Sequence, residues 1–169
     1  MTDERLAAPV ERPTVLTVAG SDAGGGAGVQ ADLKTIEALG AFGTSAITSV
    51  TAQHTRGVTS THPVPVDEVR AQIEAVGSNF DVRAVKTGML GTASVAEVVA
   101  DHAADWTAPV VVDPVMVAAS GDRLLTRAGE DAYEELVAEA TVVTPNAAEA
   151  AALTGVDVRD AATMREAGR

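Results

Sequence analysis

Short runs of apolar, β-branched residues alternate along this chain with segments that carry a helical pattern of apolar residues. That alternation is typical of parallel strands joined by crossover helices. Residues 110–112 are three consecutive valines, and an apolar run without alternation indicates a strand that helices cover on both faces. We therefore predict an α/β fold with an open, doubly wound, mostly parallel sheet flanked by helices.

The pattern predicts five strands and five helices in one domain. The strands are placed near residues 15–19, 45–51, 84–87, 110–113 and 141–144. The helices are placed at residues 30–39, 66–76, 94–104, 128–138 and 147–153. Gly40 and Gly77 stand where two helices are expected to end. Residues 1–13 are expected to form a disordered acidic leader, and residues 14–169 to belong to the folded domain.

Composition excludes several classes of partner. The 169 residues include 24 acidic and 12 basic side chains, a net charge of -12, so neither nucleic acid nor an anionic membrane is expected as a partner. The absence of cysteine excludes disulfides, thiolate metal sites and a cysteine nucleophile within the chain. No apolar run has the length of a signal or a membrane span, so a cytoplasmic location is expected. The acidity and the few aromatic residues suggest adaptation to high salt.

A glycine-rich turn is predicted between the first strand and the first helix. Residues 19–35 read AGSDAGGGAGVQADLKT and contain five glycines. Such a turn lets the backbone approach a ligand and is expected to leave the first helical amides free to bind it. The turn fails as a dinucleotide fingerprint, because Val29 replaces the third glycine and no carboxylate ends the second strand. A nicotinamide or flavin site is therefore disfavoured, and a turn needed only for packing is the alternative to a ligand site.

One group of residues near the strand ends suits a small planar heterocycle. In doubly wound sheets, ligands bind beyond the carboxyl ends of the strands. Asp32 and Gln53 offer a carboxylate and a carboxamide for ring nitrogens and an amino group, while the Met89 thioether can pack on the ring beside Gly20. The alternatives are a helix-dipole role for Asp32 and core packing for Met89.

A second group suits a metal and a phosphate. Asp113, Asn146 and Glu149 carry the oxygen ligands that Mg²⁺ prefers beside nucleotide phosphates. Turn formation and helix capping are the alternative roles for these residues. Lys86, one of two lysines in the chain, lies at a strand end, where it can neutralise phosphate or pair with a carboxylate. No spacing of histidine and acidic residues indicates zinc.

Five ordered segments resemble one family. TVLTVAGSDAGGGAGVQADLKT, GAFGTSAITSVTAQHTRGV, KTGML, VVVDPVMVAASGDRLL and TPNAAEAAALTG are similar to hydroxymethylpyrimidine and phosphomethylpyrimidine kinases of thiamine biosynthesis. The resemblance implies a ribokinase-like fold, often dimeric. It also implies transfer of phosphate from ATP, with Mg²⁺, to 4-amino-5-hydroxymethyl-2-methylpyrimidine and then to its monophosphate.

By position, the resemblance assigns roles to individual residues. Asp32 and Gln53 are implied to recognise the pyrimidine, with Gly20 and Met89 lining its pocket. Asp113 and Glu149 are implied to organise the metal. Asn146 and Lys86 are assigned to the nucleotide side.

The chain departs from the family pattern after Gly155. Family members continue through a Lys-Gly-Gly strand and a Gly-Thr-Gly-Cys or Gly-Thr-Gly-Asp turn that supplies the anion hole and the base. Residues 156–169 contain neither, and DAATMREAGR is expected to form a polar helix. We therefore expect the N-terminal portion of a truncated kinase domain, without catalytic residues and inactive unless completed. The alternatives are a pyrimidine-binding module without catalysis, a pyridoxal-type kinase and, least favoured, a nicotinamide-dependent oxidoreductase.

Overall fold

The computed structural model describes residues 12–115 and 127–169. Nearly all of the predicted leader, residues 1–13, lies outside the described residues, as does segment 116–126 of the fourth motif. The described strands are β1 Thr14–Ala19, β2 Phe42–Ile47, β3 Ser49–His54, β4 Gly57–Pro63, β5 Val82–Thr87, β6 Val110–Val112 and β7 Val142–Val143. The described helices are α1 Gly28–Ala38, α2 Val66–Asn79, α3 Ala93–Asp105, α4 Arg127–Ala138, α5 Ala147–Thr154 and α6 Ala161–Ala167.

The main sheet has five strands in the order β2-β1-β5-β6-β7. Every pair of neighbouring strands in it is parallel. On β1, the successive residues Leu16, Thr17 and Val18 are at most 1% exposed, so both faces of that strand are covered. The predicted doubly wound, mostly parallel α/β fold is confirmed.

The prediction of a single strand at residues 45–51 is wrong. β2 ends at Ile47, and β3 begins at Ser49 in a separate antiparallel pair with β4. Thr48 forms the break, because its amide donates to Ala19 O and its hydroxyl donates to Met89 O. The amide bond is the last of the β1–β2 ladder, and the Thr48 carbonyl accepts from the Val64 amide after β4, so Thr48 is the residue at which the chain passes from one sheet to the other.

Strand β4 is not among the strands that the sequence pattern predicts. All seven of its residues are exposed, so no buried apolar pattern marks it in the sequence. The β3–β4 hairpin places Gln53 beside the glycine-rich turn.

Helix boundaries agree with the pattern except at Gly77. Gly40 follows α1 with φ +83°, the left-handed conformation expected of a glycine after a helix. Gly77 instead lies inside α2, which continues to Asn79. The polar helix expected near the C-terminal residues is α6. Within the two described ranges, no helix is long and apolar enough to cross a membrane.

Candidate active site

The centre of the sheet ends in a cluster of one cation and two carboxylates, which we call the Lys86 cluster. The Lys86 ammonium, near the end of β5, lies 3.1 Å from Asp32 Oδ1 and 3.5 Å from Asp113 Oδ2. The exposed fractions of these side chains are 27% for Lys86, 17% for Asp32 and 34% for Asp113. The cluster is therefore more open to solvent on the Asp113 side than on the Asp32 side.

Strand register explains how the Lys86 cluster forms. Thr17 of β1 is paired with Lys86 of β5, so their side chains leave the sheet on the same face. Helix α1 carries Asp32 over that face, where Asp32 Oδ2 accepts a hydrogen bond from the Thr17 hydroxyl at 2.6 Å. Of the two roles that the sequence leaves open for Lys86, the structure shows pairing with carboxylates.

Gly20 and Met89, both predicted at the ring pocket, lie in contact. The Gly20 amide donates to Met89 O at 3.0 Å. A Cβ added to Gly20 would lie 2.5 Å from Met89 Cε, so a side chain there would displace the thioether methyl. Because Gly20 has no side chain, the end of the Met89 side chain can occupy the space beside it.

Gln53 lies beside the glycine-rich turn. It is half-buried on β3, next to an irregularity in the β3–β4 register. Its backbone carbonyl oxygen would lie 3.3 Å from a Cβ added to Gly24. Its carboxamide makes no hydrogen bond to any residue in the described part of the chain. The structure therefore brings Gln53 to the turn but does not join it to Asp32.

The amides of the glycine-rich turn are taken by the chain itself. Asp22 accepts hydrogen bonds from the amides of Gly24, Gly26 and Ala27 at 2.8, 2.9 and 2.8 Å. Burial of Asp22, which is 5% exposed, raises the pKa of its carboxyl, and these amides lower it by more, so the pKa lies below its ordinary value. These three amides belong to the turn before α1. Of the first helical amides, that of Val29 is bound as well, to Gly20 O, and the ligand-binding role expected of the others stays a prediction.

Gly28 closes the same turn. Its φ is +57°, and an added Cβ would overlap the carbonyl oxygen of Gly20. That carbonyl also accepts the amide of Val29, the second residue of α1. The start of α1, and with it Asp32, is therefore fixed against the end of β1 by direct backbone contact.

Two residues of the predicted metal and nucleotide group form a helix cap. Asn146 Oδ1 accepts from the Glu149 amide, and Glu149 Oε2 accepts from the Asn146 amide, both at 2.9 Å. This is a capping box, so the capping role that the sequence left open is present. Asn146 also lines a cavity of about 650 Å³ beside β7, α5 and α6, which none of Gly20, Asp32, Gln53 and Met89 lines.

Tyr133 is a buried member of the site that the sequence reasoning missed. Its hydroxyl donates to Gly88 O at 3.1 Å, and the residue is 0% exposed. Burial raises the pKa of Tyr133, and the negative charges of Asp113 and Glu149 raise it further. The Tyr133 hydroxyl thus binds the backbone directly after β5, two residues beyond Lys86. A lone tyrosine in a helical pattern is the only sequence signal for it.

The carboxylates near the strand ends suit Mg²⁺, which needs few protein ligands, better than a metal ion that is coordinated by protein side chains alone. Among the residues that the structure describes, no three His, Cys, Asp or Glu side chains are grouped to hold a metal ion. Mg²⁺ commonly takes one or two carboxylates and completes its shell with water and substrate phosphates. Asp113, one-third exposed after β6, offers such an oxygen, and Glu149, in the first turn of α5 after β7, is buried.

Relatives of known structure share this architecture. A phosphomethylpyrimidine kinase from Clostridium difficile 630 matches with a TM-score of 0.86 and 38% identity over 93% of this chain and 69% of that chain. A pyridoxal kinase from Staphylococcus aureus, in complex with AMP-PCP and pyridoxal, matches with a TM-score of 0.81 and 35% identity over 93% of this chain and 57% of that chain. The fold is therefore that of the ribokinase-like kinases.

Sequence comparison narrows that class. The model of the family described as phosphomethylpyrimidine kinase matches residues 22–169, and the chain belongs to this family. The hydroxymethylpyrimidine/phosphomethylpyrimidine kinase of Streptomyces coelicolor is 53% identical over 160 residues, covering 94% of this chain and 60% of that protein. The Haemophilus influenzae protein of the same name is 50% identical over 157 residues, covering 92% and 58%. The chain thus spans about 60% of the length of these curated relatives, and the resemblance seen in the motifs is confirmed.

Proposed function

We propose that Asp32, Gln53, Gly20 and Met89 form the ring-binding part of an ATP-dependent kinase. Its substrates are 4-amino-5-hydroxymethyl-2-methylpyrimidine and the corresponding monophosphate, in thiamine biosynthesis. The single observation that carries this proposal is the Lys86 cluster, which links the carboxylate of the predicted ring group, Asp32, to that of the predicted metal group, Asp113. A kinase must hold its phosphate acceptor next to its metal-bound nucleotide. The Lys86 ammonium contacts both Asp32 and Asp113, so the two proposed halves of the site are adjacent.

The ring side of the proposal uses Asp32, Gln53, Gly20 and Met89. Asp32 is ordered by Thr17 and Lys86, so its carboxylate meets a ligand in a fixed orientation. The Gln53 carboxamide, without a partner among the described residues, can both donate to and accept from a ring edge. Gly20 and Met89, already in contact, supply an apolar wall for the ring face.

The nucleotide side of the proposal uses Asp113, Glu149 and Asn146, with Lys86 shared between the two sides. When bound, Mg²⁺ would offset the charge of the ATP phosphates. Asp113 offers its carboxylate towards solvent, whereas Glu149 has one oxygen in the capping box and the other without a partner in the described residues. Asn146 holds the start of α5, whose first amides face the same end of the sheet.

We further propose that the 169 residues alone bind the pyrimidine without phosphorylating it. In the family a Gly-Thr-Gly turn stabilises the transferred group, and its last residue is the base for the accepting hydroxyl; residues 156–169 contain no such turn. Titration calorimetry should therefore detect binding of hydroxymethylpyrimidine to the chain. A coupled assay with Mg-ATP should detect no formation of ADP that depends on the pyrimidine. Ring-dependent turnover would contradict the inactivity, and failure to bind the ring in either the presence or the absence of Mg-ATP would contradict the function itself.

A pyridoxal-type kinase is the second candidate. It is favoured by the 0.81 TM-score to the S. aureus pyridoxal kinase named for its complex with pyridoxal. A competition titration with pyridoxal and hydroxymethylpyrimidine separates the two candidates, because the preferred ring displaces the other at lower concentration.

A further inference from the structure

We infer that the start of the glycine-rich turn is a platform for strand β3, and that Thr51 and Gly24 set the position from which Gln53 meets the ring. This inference rests on the proposed function, in which the Gln53 carboxamide binds the ring, and refines it. Neither Thr51 nor Gly24 is assigned to the ring itself. Both are positioning residues that act through Gln53.

The β3–β4 hairpin stands apart from the main sheet, so its position depends on a few contacts. Among the described strands, β3 pairs only with β4, and β4 is exposed along its whole length. Within the described ranges, the hydrogen bonds that join hairpin residues 49–63 to the rest of the chain are made by Ser49 and Thr51, both with Ser21. Gln53 lies two residues beyond the last of these attachments.

Three hydrogen bonds attach β3 to Ser21. The Ser21 amide donates to Ser49 O at 2.8 Å. The Thr51 hydroxyl donates to Ser21 O at 2.6 Å, and the Thr51 amide donates to Ser21 Oγ at 3.3 Å. Thr51 is 5% exposed, so water does not readily replace its hydroxyl. Burial alternates along β3, with Ser49, Thr51 and Gln53 on the less exposed face, so the attachment and the carboxamide share one face of the strand.

Gly24 meets the far end of the same strand. A Cβ added to Gly24 would lie 3.3 Å from Gln53 O and 3.5 Å from His54 Cα. At the first distance, the Gln53 backbone would have to move by a few tenths of an ångström. The turn therefore runs along β3 from Ser21 to Gly24, and the missing side chain of Gly24 lets Gln53 approach it.

The carboxamide of Gln53 depends on this backbone placement, because it has no hydrogen-bond partner of its own in the described part of the chain. A ring bound by the carboxamide needs donor and acceptor at fixed positions, and a displaced backbone lengthens or bends those hydrogen bonds. Disturbing Thr51 or Gly24 should therefore weaken ring binding only while the Gln53 side chain is present. A merely structural role would weaken binding with or without that side chain.

The test is a double-mutant cycle on the full 169-residue chain, measured by titration calorimetry with 4-amino-5-hydroxymethyl-2-methylpyrimidine. Thr51→Val removes the hydroxyl with little change of shape, and Gly24→Ala adds one methyl group beside Gln53. We expect each to raise the dissociation constant by about 3- to 10-fold, the range of one weakened hydrogen bond. In the Gln53→Ala background, we expect each to change it by less than about 2-fold.

Each variant has a matched control. Thr51→Ser keeps the hydroxyl and should bind the ring within about 2-fold of the wild-type chain. Thr61→Val makes the same substitution at the exposed residue of β4 that is paired with Thr51. Gly26→Ala adds a methyl group to the same turn, where the nearest atom, Asp22 Oδ2, would lie at an ordinary contact distance of 3.8 Å. Both should bind the ring like the wild-type chain, and circular dichroism checks that every variant is folded.

The Gln53→Ala background also removes an ambiguity at Gly24. The added Cβ would lie 3.2 Å from Asp22 Oδ1 as well as close to Gln53 O. An effect that passes through Asp22 would persist without the Gln53 side chain, whereas an effect that passes through Gln53 would disappear.

The outcomes separate this inference from the proposed function. If the wild-type chain does not bind the ring, both fail. If Gln53→Ala binds the ring as tightly as the wild-type chain, this inference fails while binding through Asp32 stands. If Thr51→Val or Gly24→Ala leaves binding unchanged, or weakens it equally without the Gln53 side chain, the role given to that residue is overturned and the proposed function stands. Should Thr51→Val not fold, Gly24→Ala decides the question.

Discussion

At the scale of single residues, Asp22 is an internal ligand of the glycine-rich turn. Its two carboxylate oxygens accept hydrogen bonds from three backbone amides of the turn, those of Gly24, Gly26 and Ala27, and the Asp22 amide donates to Gln30 Oε1 at 2.7 Å. The turn is thus fixed before any ligand arrives.

Replacing Asp22 by Asn should destabilise the turn in a way that depends on pH. Asn keeps one acceptor and places an NH₂ group against amide donors, so the unfolding temperature should fall at neutral pH. Because the folded pKa of Asp22 is lowered, its stabilisation is present above the ordinary carboxylate value of about 3.9 and is lost as pH falls through the folded value. The difference in unfolding temperature between the two chains should therefore shrink at about pH 3.

An exposed carboxylate supplies the control for Asp22. The Asp81 side chain is 76% exposed, so Asp81→Asn should leave the unfolding temperature close to that of the wild-type chain. A difference between Asp22→Asn and wild type that stays constant from neutral to acidic pH would show that the carboxylate charge is not what holds the turn.

Residue types at strand ends made part of the site predictable. Gly20, Asp32 and Met89 follow from strand positions, and the structure brings Asp32 to Lys86 and Gly20 to Met89. Their roles towards a ligand stay predictions. Asp22 and Tyr133 were not found, because one acts through backbone amides and the other through a contact 45 residues away in sequence. Neither kind of contact leaves a pattern in residue types alone.

At the scale of elements, buried strands were predictable and the exposed hairpin was not. β1 and β6 carry apolar runs because both of their faces are covered, and their predicted positions, like that of β5, agree with the structure. β4 is exposed along its whole length, so its residues are free to be polar and resemble a loop. β2 and β3 were merged because the break at Thr48 depends on hydrogen bonds to other strands.

Tyr133 joins α4 to the turn after β5, and Tyr133→Phe tests that connection. The substitution keeps the ring but removes the donor to the buried Gly88 carbonyl, so the free energy of unfolding should fall by about 1–3 kcal/mol in urea titrations. Because the folded pKa of Tyr133 is raised, its contribution is complete below about pH 10 and is lost as pH rises beyond it. The wild-type chain should therefore lose more stability than Tyr133→Phe between neutral and alkaline pH.

The chain has one tyrosine, so its ionisation can be followed directly. Ultraviolet absorbance of tyrosinate should appear together with loss of secondary structure as pH is raised. Tyrosinate that forms in a chain with unchanged circular dichroism would contradict the buried hydrogen bond. Equal stability of the two chains at neutral pH would contradict it as well.

At the scale of the whole molecule, the alternation of strands and helices was enough to predict the fold class, and five motifs were enough for the family. The homodimer and the cytoplasmic location stay predictions. Association depends on surface complementarity between copies, which the periodicity of one chain does not encode. The charge of the molecule, in contrast, follows directly from composition and leads to a prediction at this scale.

The net charge of -12 should make the stability of this chain depend on salt. Excess negative charge repels itself in the compact state, and ions at molar concentration screen that repulsion over a few ångströms. Raising KCl from about 0.1 M to about 2 M should increase the unfolding temperature by about 2–4 °C, corresponding to about 1 kcal/mol for a domain of this size. Thermal melts followed by circular dichroism measure the change.

A charge variant distinguishes screening from a general effect of solutes on hydrophobic burial. Glu134 and Glu135 are adjacent, exposed residues of α4, and replacing both by Gln changes the net charge from -12 to -10. If screening is the cause, this double variant should be more stable than the wild-type chain at low salt and should gain less from KCl. An equal gain in both chains, or the same gain from an uncharged osmolyte, would mean that salt acts through burial rather than through charge.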